Sequence, residues 1–472
     1  MALSSVMKRV AAVGLIVFFG VEAHAKGSSR TRLVTASPSP AGQSVSMTAE
    51  VDALGAGRAP GGRVTFFDGA TPLGWAPLNP VGAGQATLAA GPVHACAVTS
   101  AGGVKCWGWN AFGQLGDGTA TDRATPVDVI GLSSGVVALA AGAYHTCALT
   151  NAGAVECWGD NSLAQLGDTT GGRRRTRMTV PGLSSGVVAI AAGFAHSCAL
   201  TAAGRVMCWG HNANGQLGNG ESTMFSPPTL VGGPATIYKA LAADAWRSCG
   251  VTGAGAVRCW GADYGALPVA VAGLETGVAA LADGFRHHCA LTVAGAVKCW
   301  GDNYYGQLGD GTTVSRPAPV QVAGLTSGAV AVEAADYHTC ALLSSGAVRC
   351  WGFDDHGQLG DGATTARSIP TPVAKLGGSA VAIATGYSYS CALLSPSRVL
   401  RCWGQNDLGQ IGDGTTTDRL LPVATTGFVG LLRARGRLHA PLAAGRHLLR
   451  ANYSGDADHP ASASPVVPHE VR

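Results

Sequence analysis

Cysteine is the residue type whose spacing points most clearly to chemistry in this chain of 472 residues. The 14 cysteines form seven pairs whose members are ten positions apart, or eleven in the last pair. The pairs are Cys96 with Cys106, Cys147 with Cys157, Cys198 with Cys208, Cys249 with Cys259, Cys289 with Cys299, Cys340 with Cys350, and Cys391 with Cys402. Paired cysteines can form disulfides, bind zinc or remain free thiols, and their spacing helps to choose among these.

The segment around Cys147 and Cys157 favours disulfides. A three-residue turn at 151–153 pairs Thr150 with Ala154 and therefore places the two cysteines opposite each other. Opposed residues on antiparallel strands lie about 4.5–5.5 Å apart between Cα atoms, within disulfide range. Zinc is disfavoured because no C-x-x-C spacing occurs. We expect seven disulfides, with free buried thiols as the alternative.

Histidine recurs with the same period, two residues before the first cysteine of a pair. The five positions are His94, His145, His196, His287 and His338, and Arg247 and Tyr389 replace histidine in the other two units. Separate repeat units would hold the five imidazoles too far apart to share one metal ion. A repeated structural hydrogen bond is therefore the expected role, and no metal site is predicted.

Aspartate and arginine also recur, six positions apart. The pairs are Asp117 with Arg123, Asp168 with Arg174, Asp310 with Arg316, Asp361 with Arg367, and Asp413 with Arg419. In the third unit both residues change together, to Asn219 and Phe225. The joint change predicts an ion pair or hydrogen bond that shapes each loop. The basic run at 173–177 is interpreted as a solvated loop, with a contact patch as the alternative.

The motifs of common enzyme classes do not occur. We find no G-x-S-x-G, no H-E-x-x-H and no phosphate-binding loop. A glycosidase needs two facing carboxylates, whereas the aspartates here mostly occupy repeated turn positions. The net charge of +4 is too small to indicate nucleic-acid binding. We therefore expect no enzymatic activity, no catalytic residue, no cofactor and no nucleic-acid partner.

The period of the cysteine pairs reveals the elements that position them. Successive first cysteines are 51 residues apart, except for a gap of 40 after Cys249. A fixed period near 50 residues is typical of a propeller or a solenoid. Each unit contains four short predicted strands, so the fold class is all-β, a seven-bladed β-propeller with the small-residue strands innermost. The predicted blades are 84–134, 135–185, 186–236, 237–276, 277–327, 328–378 and 379–427.

Three recurring segments resemble the regulator of chromosome condensation repeat, especially its cysteine-bearing secreted bacterial form. They are His-Thr-Cys-Ala-Leu at 338–342, Cys-Trp-Gly-Asp-Asn at 299–303 and Gly-Gln-Leu-Gly-Asp-Gly-Thr at 306–312. The resemblance covers about 84–427, and the fourth unit departs from it by losing its Gln-Leu-Gly loop. It implies a seven-bladed propeller. The guanine-nucleotide exchange activity of the nuclear founder is not expected, since the sequence predicts export and disulfides.

The two ends of the chain resemble a bacterial Ig-like repeat. The segments 62–74 and 453–464 are similar to its middle and final strands. We expect 26–83 and 428–472 to form one Ig-like β-sandwich into which the propeller is inserted. Two separate, degenerate flanks are the alternative.

The first 25 residues are typical of a secretion signal, and they carry the prediction of localisation. Lys8 and Arg9 precede an apolar run at 10–21, and Ala23-His24-Ala25 is an A-x-A cleavage site. The run is too short to span a membrane comfortably. We expect cleavage after Ala25, a secreted or cell-surface protein, no membrane insertion after cleavage and a monomer.

Aromatic residues are concentrated in the loops predicted to emerge on one propeller face. The candidate partner-binding residues are Trp109, Phe112, Tyr144, Phe194, His211, Trp246, Phe285, Tyr304, Tyr305, Tyr337, Phe353 and His356, and Tyr264 and Tyr387 lie in the same loops. Variable aromatic residues on a rigid scaffold suit recognition of a protein or a surface glycan. A secreted enzyme inhibitor is the alternative function. A carbohydrate-active enzyme and a nucleotide exchange factor are less favoured.

Overall fold

The computed structural model describes residues 28–35, 44–54, 63–77, 79–80, 87–233, 236–454, 461–464 and 466–471. The predicted signal at 1–25 lies outside these residues. Every regular element in the described part is a β-strand. No helix there is long and apolar enough to cross a membrane.

Five strands precede the propeller. They are β1 (Ser28–Thr35), β2 (Ser44–Leu54), β3 (Arg63–Asp68), β4 (Thr71–Pro77) and β5 (Asn79–Pro80).

The propeller follows as seven consecutive groups of four strands. Blade 1 contains β6 (Leu88–Ala90), β7 (His94–Val98), β8 (Val104–Gly108) and β9 (Arg123–Asp128). Blade 2 contains β10 (Val136–Ala141), β11 (His145–Thr150), β12 (Val155–Gly159) and β13 (Arg174–Thr179). Blade 3 contains β14 (Val187–Ala192), β15 (His196–Thr201), β16 (Val206–His211) and β17 (Phe225–Leu230). Blade 4 contains β18 (Tyr238–Ala243), β19 (Arg247–Thr252), β20 (Val257–Gly261) and β21 (Gly265–Ala270).

The remaining blades repeat the pattern. Blade 5 contains β22 (Val278–Asp283), β23 (His287–Thr292), β24 (Val297–Gly301) and β25 (Arg316–Gln321). Blade 6 contains β26 (Ala329–Ala334), β27 (His338–Leu343), β28 (Val348–Gly352) and β29 (Arg367–Pro372). Blade 7 contains β30 (Ser379–Thr385), β31 (Tyr389–Ser395), β32 (Leu400–Gly404) and β33 (Arg419–Ala424). The chain ends with β34 (Leu432–Pro441), β35 (Gly445–Tyr453), β36 (Ser462–Ala463) and β37 (Val467–Val471).

Each blade is a four-stranded antiparallel sheet whose strands follow chain order, here labelled a to d from the axis outward. The predicted all-β, seven-bladed propeller is confirmed. Strand a is rich in alanine, as in Val136–Ala141 of blade 2, and lines a central channel. Only small side chains fit there, because seven strands converge on one axis.

Disulfides join strands b and c in every blade. In blade 2, Cys147 lies directly opposite Cys157 in the strand register, as the turn at 151–153 predicted. All seven predicted pairs are bonded, with Cα–Cα distances of 4.0–4.1 Å, and all fourteen cysteines are buried within the blades. The alternative of free thiols is therefore wrong. From blade 1 to blade 7 the bonds join Cys96 to Cys106, Cys147 to Cys157, Cys198 to Cys208, Cys249 to Cys259, Cys289 to Cys299, Cys340 to Cys350, and Cys391 to Cys402.

A tryptophan in every blade, and a histidine in five of them, connect each blade to its neighbour. Trp158 is fully buried, and its indole N–H donates to the backbone oxygen of Gln114 in the preceding blade at 2.8 Å. His145 lies 2.8 Å from the Ser197 hydroxyl of the following blade. That hydroxyl donates to the Gln165 carbonyl, so His145 Nε2 must be the donor to it. The predicted structural role of the repeated histidines is confirmed.

The ring closes without exchanging a strand between blades 7 and 1. Trp107 donates to the Gln410 backbone oxygen at 2.8 Å, the same contact that joins other blades. Tyr389 replaces the histidine of blade 7, and its hydroxyl lies 2.7 Å from the backbone oxygen of His94. The Leu431 amide then donates to the Val98 oxygen, which ties the exit of the propeller to blade 1.

The two chain ends share two sheets. Strand β2 pairs with β34 over ten residues, from Ser44 opposite Pro441 to Ala53 opposite Leu432. Strand β3 pairs with β35, and both sheets contribute to one core that includes Met47, Phe66 and Tyr453. A β-sandwich is therefore built jointly by the two ends, as predicted. Its assignment to the Ig-like class remains a prediction.

Candidate binding face

Two loops of each blade emerge on the same propeller face because the four strands form an antiparallel meander. The a–b turn is short, as in Gly142-Ala143-Tyr144 between β10 and β11. The c–d loop is longer and carries a Gln-Leu-Gly segment in five blades. Blade 7 has Gln-Ile-Gly in its place, and blade 4 lacks the segment. These loops present the predicted binding residues.

Hydrogen bonds within the c–d loop fix where its variable side chains lie. In blade 1, the buried Asn110 accepts from the Leu115 amide at 3.0 Å and donates to Asp117 at 3.1 Å. The Gln114 side chain accepts from the Phe112 amide at 3.0 Å. The same glutamine contact holds Tyr305 in blade 5. These repeated hydrogen bonds of asparagine and glutamine therefore form a constant polar frame in the loop. The frame positions a side chain whose identity differs from blade to blade.

The recurring aspartate and arginine form the predicted ion pairs. Arg123 lies 2.8 Å from Asp117, and Arg316 lies 3.0 Å from Asp310. Burial opposes ionisation of Asp117, but hydrogen bonds from Thr119, Arg123 and Asn110 lower its pKa below the usual value. Four of these aspartates have a lowered pKa for the same reasons, namely Asp117, Asp168, Asp310 and Asp413. The pairs stabilise loop shape, so their arginines do not form a free basic ring.

Six of the predicted binding residues form one continuous row of rings, which we call the first arc. Neighbouring ring centroids lie 5.0–5.6 Å apart across blades 1 to 4. The first arc consists of Trp109, Phe112, Tyr144, Phe194, Trp246 and His211. Each side chain is partly exposed, so the row offers apolar surface to the solvent.

Five more of the predicted residues form a second arc on blades 5 and 6. Their centroids lie 4.6–6.4 Å apart. The second arc consists of Phe285, Tyr304, Tyr305, Tyr337 and Phe353. Tyr304 is the most exposed member, at 77%. The structure therefore brings eleven of the twelve predicted residues into two ring clusters around the channel mouth.

The remaining loop aromatics have other positions. His356 is held by Asp418 of blade 7 at 2.8 Å and makes no ring contact among the described residues. Tyr387 is 48% exposed and lines the channel mouth. Tyr264 does not belong to the face: its hydroxyl accepts from the Trp300 indole at 3.0 Å. It takes the place of the glutamine carbonyl that the shortened loop of blade 4 lacks.

The basic run beside the first arc is largely paired. Arg173 lies over the Phe112 ring, 4.2 Å from its centroid, which is a favourable cation–π geometry. Arg174 pairs with Asp168 at 3.2 Å, and Arg177 pairs with Glu156 at 2.9 Å. Arg173 therefore extends the first arc with a charged group, and the other two side chains stabilise blade 2.

The channel contains four carboxylates that sequence reasoning missed. They lie on strand a or the a–b turn of blades 4 to 6 and are Asp244, Asp283, Glu333 and Asp336. Glu333 takes a position that is alanine in the other six blades. The signal that could have revealed them is an acidic residue inside a run of small apolar residues. They line a cavity of about 270 Å³ that opens between the two arcs.

Three possible metal ligands converge at one place in the described residues. They are Cys249, Asp283 and His288. Cys249 is bonded to Cys259, so its sulfur is not available as a thiolate. His288 instead lies 2.8 Å from Asp283 and stacks on Trp300. This cluster is a packing contact and does not form a metal site.

Family models decide the relationship of the propeller to known proteins. A model of the regulator of chromosome condensation (RCC1) repeat matches residues 86–114, 136–165, 187–216, 276–307 and 329–358. A second RCC1 repeat model matches 101–149, 294–342 and 345–393. The propeller contains RCC1 repeats. Its seven RCC1-type blades account for β6 to β33.

Similar curated proteins are much longer or are matched only in part. The chain is 33% identical over 289 residues to human E3 ubiquitin-protein ligase HERC2, covering 59% of this chain and 5% of HERC2. It is 29% identical over 293 residues to the ultraviolet-B receptor UVR8 of Arabidopsis thaliana, covering 61% of this chain and 57% of the receptor. The chain thus spans less than two thirds of either relative.

Solved structures support the RCC1 fold. Yeast RCC1 (Prp20), solved bound to Kap60, matches with a TM-score of 0.61 at 21% identity, covering 70% of this chain and 88% of the other. Human WBSCR16 matches with a TM-score of 0.58 at 22% identity, covering 69% and 96%. At these identities the likeness establishes the fold alone.

Proposed function

We propose that this RCC1-repeat chain is a secreted, non-enzymatic binding protein whose two aromatic arcs recognise an extracytoplasmic protein. The observation that carries the proposal is the contact network of eleven rings on one face of a rigid propeller. Partly exposed aromatic residues that form continuous apolar surface are typical of interaction sites. A surface glycan, which could also stack on such rings, is the competing ligand.

Two further features support this proposal. Seven buried disulfides suit an oxidising, extracytoplasmic compartment. Each display loop is held by its own asparagine and glutamine hydrogen bonds, so the rings need little ordering on binding. A preorganised aromatic surface loses less conformational entropy when a partner docks.

The test compares partner capture by three forms of the protein. The face variant replaces Trp109, Trp246, Tyr305 and Phe353 with alanine, and the matched control replaces the exposed outer-strand residues Leu230, Val269, Ile369 and Leu420. We expect immobilised wild type and control to retain the same envelope or culture-medium protein, and the face variant to retain at least tenfold less. Equal capture by all three forms would exclude the aromatic arcs as the binding surface.

Treatment of the captured material separates the competing functions. Loss of capture after protease treatment, but not after periodate oxidation of sugars, supports a protein partner. The opposite result would indicate a glycan. If the captured partner is an enzyme that loses activity in the complex, the protein acts as an inhibitor. Turnover of a glycan substrate that is abolished by Glu333→Gln would contradict the non-enzymatic proposal.

A further inference from the structure

The central channel differs from blade to blade in a way that the fold does not require. In blade 2, positions 140, 141 and 142 are alanine, alanine and glycine. Glu333 of blade 6 takes the first of these positions, Asp283 of blade 5 the second and Asp244 of blade 4 the third. Asp336 lies one position further along the a–b turn of blade 6. Burying a carboxylate is costly unless it is paired. Asp244 pairs with Arg247 and Asp283 with His288, so it is the two carboxylates of blade 6 that call for a cation.

Two of the four carboxylates have an oxygen atom without a partner. The Asp283 side chain is fully buried, and one oxygen is bonded to His288 while its Oδ2 has no hydrogen-bond partner. Asp336 is 7% exposed, and its Oδ1 likewise has no partner. Both residues line the same cavity. The Asp283 carboxylate is enclosed beside Cys249 and His288, so a ligand in the channel does not reach it. Because buried polar atoms are nearly always hydrogen-bonded, the Asp336 oxygen indicates a missing donor on blade 6.

The basic side chains near the channel do not neutralise all of its carboxylates. Arg247 pairs with Asp244 at 3.3 Å but also with the outer Asp263. His288 lies 2.8 Å from Asp283 and also acts electrostatically on Asp244. No Lys, Arg or His ion pair to Glu333 or Asp336 occurs in the part of the chain that the structure describes. The channel wall therefore has an excess of acidic groups.

Burial raises the pKa of three of these carboxyl groups. It raises the pKa of Asp244 to about 6, with His288 opposing the rise, and the pKa of Asp336 to about 7. Burial raises the pKa of Glu333 to about 8. Glu333 keeps part of its surface exposed to the channel, so a ligand can reach it. A bound cation would remove the penalty that burial imposes on the charged forms.

The shape of the cavity favours an organic cation over a metal ion. The carboxylates do not converge on one point, since the only set of three close ligand atoms in the described residues includes the disulfide-bonded Cys249. Alanines of strand a line the cavity and suit an aliphatic stem, while Phe194, Phe285 and Tyr387 line its mouth. Ring faces attract ammonium and guanidinium groups. A cavity of about 270 Å³ suits one side chain better than an oligosaccharide.

We propose that the central channel receives one basic side chain, a lysine or arginine, of the protein partner that docks on the two arcs. This inference rests on the proposed function for the identity of the partner. The aliphatic stem packs on the alanines and passes the aromatic mouth. The charged end reaches Glu333 of blade 6, which is partly exposed to the channel, next to Asp336 on the same blade.

A small probe tests the channel without any partner. Saturation-transfer NMR would measure binding of n-butylammonium and of the uncharged n-butanol to the wild-type protein. We expect saturable binding of the amine with a dissociation constant of roughly millimolar order, given its few heavy atoms, and at least tenfold weaker binding of the alcohol. Equal binding of both probes, or no saturable binding of the amine, would overturn the proposal. Displacement of the amine by equimolar Ca²⁺ would also overturn it.

Paired variants separate this inference from the proposed function. The channel variant carries Glu333→Gln and Asp336→Asn, and the control removes two exposed carboxylates elsewhere, Asp128→Asn and Glu275→Gln. We expect the channel variant to bind both the amine and the captured partner at least tenfold more weakly, and the control to bind like wild type. If the channel variant retains full partner affinity while the face variant loses it, the proposed function stands and the channel inference is wrong.

Discussion

Asp354 breaks the otherwise constant polar frame of the c–d loops. The equivalent residue is asparagine in five other blades, where its amide donates to the loop aspartate or to its substitute Asn219. Asp354 accepts from the Leu359 amide at 2.9 Å, but its Oδ2 is buried without a partner. Burial raises its pKa to about 7, and the nearby Asp361 adds to the rise.

We predict that Asp354→Asn stabilises the protein. The amide would donate where the carboxylate cannot, which removes an unsatisfied buried group worth about 1–3 kcal/mol. The folded-state pKa lies above the ordinary value of 3.8, so ionisation costs stability progressively as pH rises from about 4 to about 7. The gain from Asn should therefore be small at pH 4.5 and complete at pH 8. Urea unfolding of both proteins at pH 4.5 and pH 8 measures this gain in the free energy of unfolding. An equal gain at both pH values would contradict ionisation of Asp354 as its cause.

The partner of each repeated histidine was present in the sequence but not recognised. Histidine bonds to the serine or threonine that follows the equivalent position of the next blade, as His145 does to Ser197. Where Arg247 replaces histidine, the next blade has His288 in place of that hydroxyl. Where Tyr389 replaces it, blade 1 has Ala95. The two positions change together, and this joint change would have predicted the inter-blade contact.

At the scale of elements, the b–c hairpin is a unit closed by its own disulfide. Replacing both Cys147 and Cys157 with alanine opens a loop of about eleven residues. The chain-entropy model assigns about 2–3 kcal/mol to such a loop. We expect a loss of that size in the free energy of unfolding, measured with urea, and the same loss for the equivalent pair Cys340 and Cys350. A difference of more than about twofold between the two hairpins would show that packing, rather than loop closure, sets the cost.

Burial of the sulfur atoms predicts kinetic protection. The cysteines are at most 1% exposed, so reductant should not reach them while the blades remain folded. We expect no thiols to be detected by Ellman titration after dithiothreitol treatment of the native protein, and 14 after the same treatment in guanidinium. Partial reduction under native conditions would identify a blade that opens locally.

The fourth blade keeps its tryptophan hydrogen bond although its c–d loop is shortened. Its short c–d connection cannot offer a glutamine carbonyl to Trp300, and the Tyr264 hydroxyl accepts from that indole instead. Tyr264→Phe should therefore destabilise the protein by about 1–3 kcal/mol, because a buried N–H loses its partner. Tyr305→Phe on the exposed second arc serves as the control and should change stability by less than about 0.5 kcal/mol. Equal effects would refute the substitution of Tyr264 for the missing loop.

The sequence predicts the whole-molecule architecture well where it repeats. Seven occurrences of the Cys-Trp-Gly segment are enough to predict seven blades, since each blade folds on its own consecutive strands. The joint sandwich is also predictable, because each end alone has too few strands for a core. The role of the channel carboxylates cannot be predicted from the sequence, because it depends on seven inner strands meeting at one axis. No single repeat contains that information.

Opposed groups of titratable residues should give the whole molecule a stability maximum near pH 6. Burial lowers the pKa of five histidines to about 3, namely His94, His145, His196, His287 and His338. Below pH 6.5 the unfolded chain binds protons on these histidines that the folded protein does not bind. The five histidines therefore lower the free energy of unfolding as pH falls towards 3. For each histidine, the decrease in the free energy of unfolding approaches about 1.4 kcal/mol per pH unit.

Buried carboxyls act in the opposite direction. The folded-state pKa is raised to about 6–8 for Asp244, Glu333, Asp336 and Asp354. The folded protein keeps protons that the unfolded chain releases, so stability falls as pH rises from about 4 to about 8. The two sets oppose each other between pH 4.5 and 6.5. Below that window the histidines act together with the loop aspartates of lowered pKa, which also lose stability as pH falls, and above it the buried carboxyls dominate. Urea midpoints from pH 4 to 9, followed by tryptophan fluorescence, should therefore peak near pH 6.

A variant with Glu333→Gln, Asp336→Asn and Asp354→Asn tests the origin of the alkaline decline in stability. In this variant the alkaline decline should flatten while the acid decline stays. An unchanged alkaline decline would show that other groups cause it.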